Sequence, residues 1–227
     1  MTSPSASGAR RPRSPRIEVP FLTPQTIAAR ADDIRRRYHP TGGLPVPAEL
    51  MIEQAGIDLI ELEGLRKQTG LEACAGPDGK SIYYDPYNAE RYPARFRFSL
   101  AHEWGHIELH ASLPWYADFR PESIHDWVRF ILRMPKKPRG YAERQAHIFA
   151  DRLLMPTEYL APRLELVPGT VRTLYHEAIQ EGVRPSIAQR NAWQKWCDLL
   201  AHEFKVSRDA MAKRLDHEGS TAETLVL

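Results

Sequence analysis

Cysteine is scarce in this chain of 227 residues: Cys74 and Cys197 lie far apart, which is too little for a disulfide framework. That scarcity fits a reducing compartment, and a cytoplasmic location is expected. Long apolar runs are missing as well. Arg, Asp, Glu or Pro interrupts every stretch before the roughly 20 residues that cross a bilayer, which excludes a membrane-spanning role. The first 16 residues carry four arginines with no apolar segment behind them, so they do not read as a secretory signal. No internal repeat is found. There is no strong excess of charge of either sign: 31 Lys and Arg stand against 29 Asp and Glu, a net +2. Removing the four N-terminal arginines leaves 27 against 29, a slightly acidic body that does not suit direct nucleic-acid binding.

What is present is the composition of a water-soluble globular protein, 42% hydrophobic and 26% charged. Residues 1–20, rich in Ser, Pro, Arg and Gly, are expected to form a disordered basic arm. A core over 21–160, a C-terminal helical extension over 161–217 and a polar tail over 218–227 are expected to follow. Thr23 and Pro24 predict a helix running to Tyr38, and Pro47 predicts a short one ending before Gly56. Runs at 57–62, 71–75 and 81–84 predict a small, partly antiparallel sheet, with Asp78-Gly79 as a hairpin turn. Pro93 predicts a helix through His110, and residues 141–154 predict another. Between them lies an insert with one helix over 123–133. The aromatic residues Trp115, Tyr116, Phe119, Trp127 and Phe130 read as packing, and Lys136, Lys137 and Arg139 as a solvated basic loop. Candidate helices over 170–181 and 186–203 precede a last one capped by Ser207. The fold class expected is therefore α+β, mainly helical, with the small sheet packed on the helix of 93–110. The C-terminal pattern has a helix-turn-helix layout, but bundle packing or protein docking is the preferred reading.

The chemistry concentrates in His102-Glu103-Trp104-Gly105-His106, an H-E-x-x-H pattern inside a helix. Positions i and i+4 stack on one helix face, so two imidazoles can share one ion while the intervening carboxylate faces the water that ion activates. Zinc suits such donors, and Glu103 is the expected general base. Three other His-Glu pairs, at 176, 202 and 217, have Gln180, Val206 and Thr221 where a second His is required. A third protein ligand is still needed. Glu143, His110, His147, Asp151 and Cys74 are candidates. On a straight helix His110 sits about 6 Å beyond His106, better placed behind the ligands than among them. Glu143 opens the next core helix, from which a carboxylate can reach across.

The blocks Phe98 to His106, then His110, then Glu143-Arg-Gln-Ala-His-Ile-Phe-Ala150 and Leu153-Leu-Met-Pro156 resemble the ImmA/IrrE family of metallopeptidases. The likeness spans about Ile57 to Pro156. It implies a gluzincin-like fold with His102, His106 and Glu143 as the zinc ligands and Glu103 activating water. It also implies a protein substrate, a helix-turn-helix transcriptional repressor. The family usually has Asn where this chain has His147, which points to an altered contact behind the ligands or a competing ligand. Tyr141 and His110 are candidate oxyanion donors. The strand at Ser81 to Tyr84, with Tyr83 and Tyr84, is a candidate edge for an extended substrate. Two other readings compete: a deformylase-type zinc hydrolase with Cys74 as ligand, and a non-catalytic regulator whose metal is structural.

Overall fold

Thr23 starts the first helix, α1 (Pro24–Tyr38), by accepting a hydrogen bond from the backbone N–H of Thr26, with proline at the first helical position. The computed structural model describes residues 17–222 and 224, so residues 1–16 of the expected arm lie outside it. Residues 17–20 do not behave as an arm: Ile17 and Val19 pack on a hydrophobic cluster, and the Pro20 carbonyl accepts a hydrogen bond from Gln145. Two apolar side chains are enough to dock this short piece.

After α2 (Ala48–Gln54), Gly56 turns the chain at φ 73°, a left-handed conformation that glycine adopts without steric cost. Then come β1 (Asp58–Glu61), α3 (Leu65–Thr69), β2 (Ala73–Ala75) and β3 (Ser81–Tyr84). The sheet order is β1-β3-β2, with β1 parallel and β2 antiparallel to β3. This corrects the expected substrate edge. β3 is the central strand and both its sides are taken; the edge strand nearest the H-E-x-x-H helix is β2.

Two further helices, α4 (Pro86–Arg91) and α5 (Pro93–His110), lead into the insert, which holds α6 (Pro114–Ala117) and α7 (Ile124–Arg133). Ser123 caps α7 by accepting from the Asp126 N–H. The next helix, α8 (Lys136–Leu154), begins five residues earlier than its apolar stripe indicates. Pro138 is tolerated there because the first turn of a helix has no internal acceptor for its N–H groups. Lys136, Lys137 and Arg139 are therefore helical and not a loop. The chain ends with α9 (Thr157–Leu164), α10 (Gly169–Gln180), α11 (Pro185–Phe204) and α12 (Arg208–His217), the last capped by Ser207 as expected.

The mainly helical α+β class holds. One large core joins Ile27, Ile52, Ile82, Trp104, Phe149 and Leu153, and residues of 161–217 add Val171, Trp196, Phe204, Met211 and Leu215 to it. The C-terminal helices thus pack into the same core as the sheet and α5. A second cluster gathers Leu65, Cys74, Trp115, Tyr116, Trp127 and Met134 beneath the insert, so the aromatic residues there do pack together. The most extensive helix contact is between α5 and α8. Gly105 makes it close: a Cβ there would lie 3.0 Å from Phe149 Cδ1 and 3.1 Å from the Ala146 backbone. This small residue brings the face of α8 that carries Glu143 against the histidines of α5.

Candidate metal centre

His102 and His106 lie one turn apart on α5 with their Nε2 atoms 3.1 Å from each other. Glu143, in the second turn of α8, places Oε2 at 3.2 Å from His102 Nε2 and 3.9 Å from His106 Nε2. One ligand atom from each of the three falls within 4.8 Å of the others, and among the described residues this is the only such group of three or more His, Cys, Asp or Glu. Burial works to raise the Glu143 carboxyl, but the hydrogen bond from His102 and the nearness of His106 outweigh it and hold it well below the ordinary carboxylate range. Burial opposes charging of His102 too, yet the bond to Glu143 and the charges of Glu103 and Glu143 raise that imidazole above its usual value. Such a negative, donor-rich pocket suits a cation.

Glu103 points to the sheet. Its Oε2 accepts the N–H of Ala75 at 2.8 Å. Burial raises its carboxyl above the ordinary value, opposed by the charges of His106 and His102 and by the Ala75 bond. Antiparallel pairing turns alternate residues of β2 towards β3: Glu72 and Gly76 bond to Asp85 and Ser81. Ala73 and Ala75 therefore face the other way. Ala75 spends its N–H on Glu103 and its carbonyl on Trp127 Nε1, at 2.7 Å. The backbone of Ala73 remains turned towards a cleft that His102, Glu103, Glu143 and His147 also line.

Behind the ligands runs a chain of hydrogen bonds. With Nε2 of His106 facing the cluster, its Nδ1–H donates to His110 Nδ1 (3.1 Å), and His110 Nε2–H donates to Gln145 Oε1 (3.0 Å). Gln145 Nε2 completes the chain on the Pro20 carbonyl at 2.7 Å. Burial lowers the fully buried His110 to about 3, so it stays neutral and keeps these roles. His110 is thus behind the ligands, as its helical offset indicates.

The remaining candidates lie elsewhere. His147 packs against Phe98 with the rings tilted by 55°, its ring centre is 6.4 Å from that of His102, and its Nε2 is 3.9 Å from Asp151. It is outside the ligand group. Tyr141 is exposed and lines a separate surface cavity with residues 17–20 and Trp115. Cys74 is buried beside the centre with its thiol donating to the Ala75 carbonyl, and Glu143 stands where a deformylase-type site needs the thiol. Two contributors went unread in the sequence. Arg139 Nε approaches Glu143 Oε1 at 3.7 Å, a pairing that the i, i+4 spacing could have flagged. Gln145 carries no sequence signal at all, because its partners come from residues 35 and 125 positions away.

Two histidines of an H-E-x-x-H helix, a glutamate from the next core helix and the H-E-x-x-H carboxylate held by the sheet edge define a metallohydrolase type of site. Residues 52–216 match the Peptidase_M78 family, described as the IrrE N-terminal-like domain, and the chain belongs to that family. The match reaches well beyond Ile57 to Pro156 and takes in α9 to α12. No curated protein matches the chain. The chain is accordingly a metallopeptidase-type hydrolase.

Proposed function

We propose that this chain is a zinc-dependent endopeptidase of the cytoplasm whose substrate is a protein, a helix-turn-helix transcriptional repressor. The observation that carries the reading is the convergence of His102, His106 and Glu143 beside Glu103. Two neutral imidazoles and one carboxylate suit four-coordinate zinc with one position left for solvent, the arrangement of catalytic sites; structural sites fill all four positions with protein groups. Zinc bound there would supply a Lewis acid that acidifies water and polarises the scissile carbonyl.

The chain's own residues do the rest. Ala75 anchors one oxygen of Glu103, so the other can take a proton from the attacking water and pass it to the leaving amine. Burial, by raising the affinity of Glu103 for a proton, suits both transfers. The His106–His110–Gln145 chain keeps Nε2 of His106 free for the ion. Ala73 offers its N–H and carbonyl to an extended peptide lying along β2. The repressor as substrate follows from the family likeness.

The test uses the zinc-loaded protein and a purified helix-turn-helix repressor from the same organism as substrate. Glu103→Gln should hold about one zinc per chain while cleavage slows at least about 100-fold. Cleavage by this variant at the unmodified rate would overturn the role given to Glu103.

A further inference from the structure

A cavity of about 90 Å³ adjoins the metal centre on the side of the insert, lined by Glu103, His106 and Glu143 together with β2, α7 and α8. Its other walls include Leu71, Cys74, Trp127, Ile131, Met134 and Ala142. The polar ends of these walls are turned elsewhere. Trp127 Nε1 donates to the Ala75 carbonyl at 2.7 Å, and the Tyr116 hydroxyl to the Gly76 carbonyl at 2.6 Å. Burial keeps the Cys74 thiol protonated, so it acts as a small apolar surface. Arg139 is engaged with Glu143 at 3.7 Å. Trp115 Nε1, which has no hydrogen-bond partner, is the exception. The space therefore presents mostly carbon and sulfur to whatever enters from the centre.

Size narrows the occupant. An engineered cavity of about 150 Å³ takes a benzene ring, so a space of about 90 Å³ is small for an aromatic side chain and adequate for a branched or thioether aliphatic one. Both Trp127 and Tyr116 hold backbone carbonyls of β2 and Gly76, which ties the wall to the sheet and resists widening. We propose that this cavity is the specificity pocket of the peptidase and receives an aliphatic side chain, of leucine, isoleucine or methionine, from the substrate residue flanking the bond that is cut. The proposal rests on the zinc endopeptidase reading and adds a substrate class to it.

A series of peptidyl hydroxamates tests it, sharing one chelating group and differing in a single side chain: glycyl, leucyl, phenylalanyl or glutamyl. Dissociation constants are measured by calorimetry on the full chain, zinc-loaded and metal-free. The leucyl compound should bind the zinc-loaded protein about 10- to 100-fold more tightly than the glycyl one, the gain expected from burying one such side chain. Phenylalanyl and glutamyl should gain less than threefold. Ala142→Leu, which fills the space, should cut the leucyl advantage to about twofold or less. Ile131→Ala, on the partly exposed face of α7, should let phenylalanyl bind as well as leucyl. Equal affinity for all four compounds would overturn the pocket while leaving the metal centre standing. Binding no tighter to the zinc-loaded than to the metal-free protein would overturn the peptidase reading, and the pocket with it.

Discussion

Helix α8 carries two carboxylates two turns apart, and each faces a pair of imidazoles. Glu143 meets His102 and His106 at 3.2 and 3.9 Å, whereas Asp151 meets His147 and His217 at 3.9 and 3.8 Å. The functional groups are the same, one carboxylate and two imidazoles, and the electrostatics are opposite. Glu143 is hydrogen-bonded by His102, has His106 close by and is held charged; both oxygens of Asp151 lack a hydrogen bond, and burial pushes it up to about 7 despite the positive charges of Arg214, Arg152 and Lys213. The first pair of histidines is presented by one rigid turn of α5 across a glycine-thinned contact. In the second, one histidine sits on α8 itself and the other, exposed, at the end of α12. Donor composition alone does not make a metal site. Convergence from buried, closely packed helices does, because a cation needs its ligand atoms within a few ångströms of one point.

The strongest way to break the comparison is to remove one carboxylate from each group. Glu143→Ala should weaken zinc binding by on the order of a thousandfold, taking a third of the ~10–16 kcal/mol of a protein zinc site as one ligand's share. Asp151→Asn should leave zinc content unchanged. Chelator competition measures both, and equal losses would erase the distinction. A smaller effect should follow from Gln145→Leu, which cuts the chain behind His106: zinc affinity should fall about 10- to 100-fold, the usual cost of losing a partner behind a ligand. Unchanged affinity in a folded variant would show that His110 needs no support from Gln145 or from residues 17–20.

The smallest effect concerns stability and pH. The folded-state pKa of Asp151, about 7, lies above the roughly 3.9 of an unfolded Asp, so between those values the native state binds more protons. Its burial is therefore harmless below about pH 4, and stability is lost as pH rises through 7. Asp151→Asn should raise unfolding free energy by roughly 1–2 kcal/mol more at pH 8 than at pH 6. Urea titrations at the two pH values measure this, and a gain that is the same at both would show Asp151 to be charged throughout.

Much of the architecture was legible because its signals are local. Thr23 and Ser207 cap the helices they were expected to cap, and α5 runs from Pro93 to His110 as its periodicity indicates. The beginning of α8 was hidden by Pro138, and α9 by Pro156 and Pro162, since proline in the sequence does not reveal whether it occupies a tolerant position. The sheet order was illegible: the Asp78-Gly79 hairpin pairs β2 with β3, but nothing near it shows that β1 covers the other side of β3. His147 illustrates the same limit at the site, being a plausible ligand by spacing and a neighbour of Phe98 and Asp151 in space.

By itself the sequence determined the pair of histidines and the glutamate between them, because a helical repeat of 3.6 residues places i and i+4 on one face whatever surrounds them. The tertiary structure alone decided that Glu143 completes the group, that Ala75 steadies Glu103, and that Pro20 ends the chain of bonds behind His106. Each of those contacts joins residues 28 or more positions apart, and their meeting depends on how closely α5, α8 and β2 pack, a property of the whole core that no short stretch encodes.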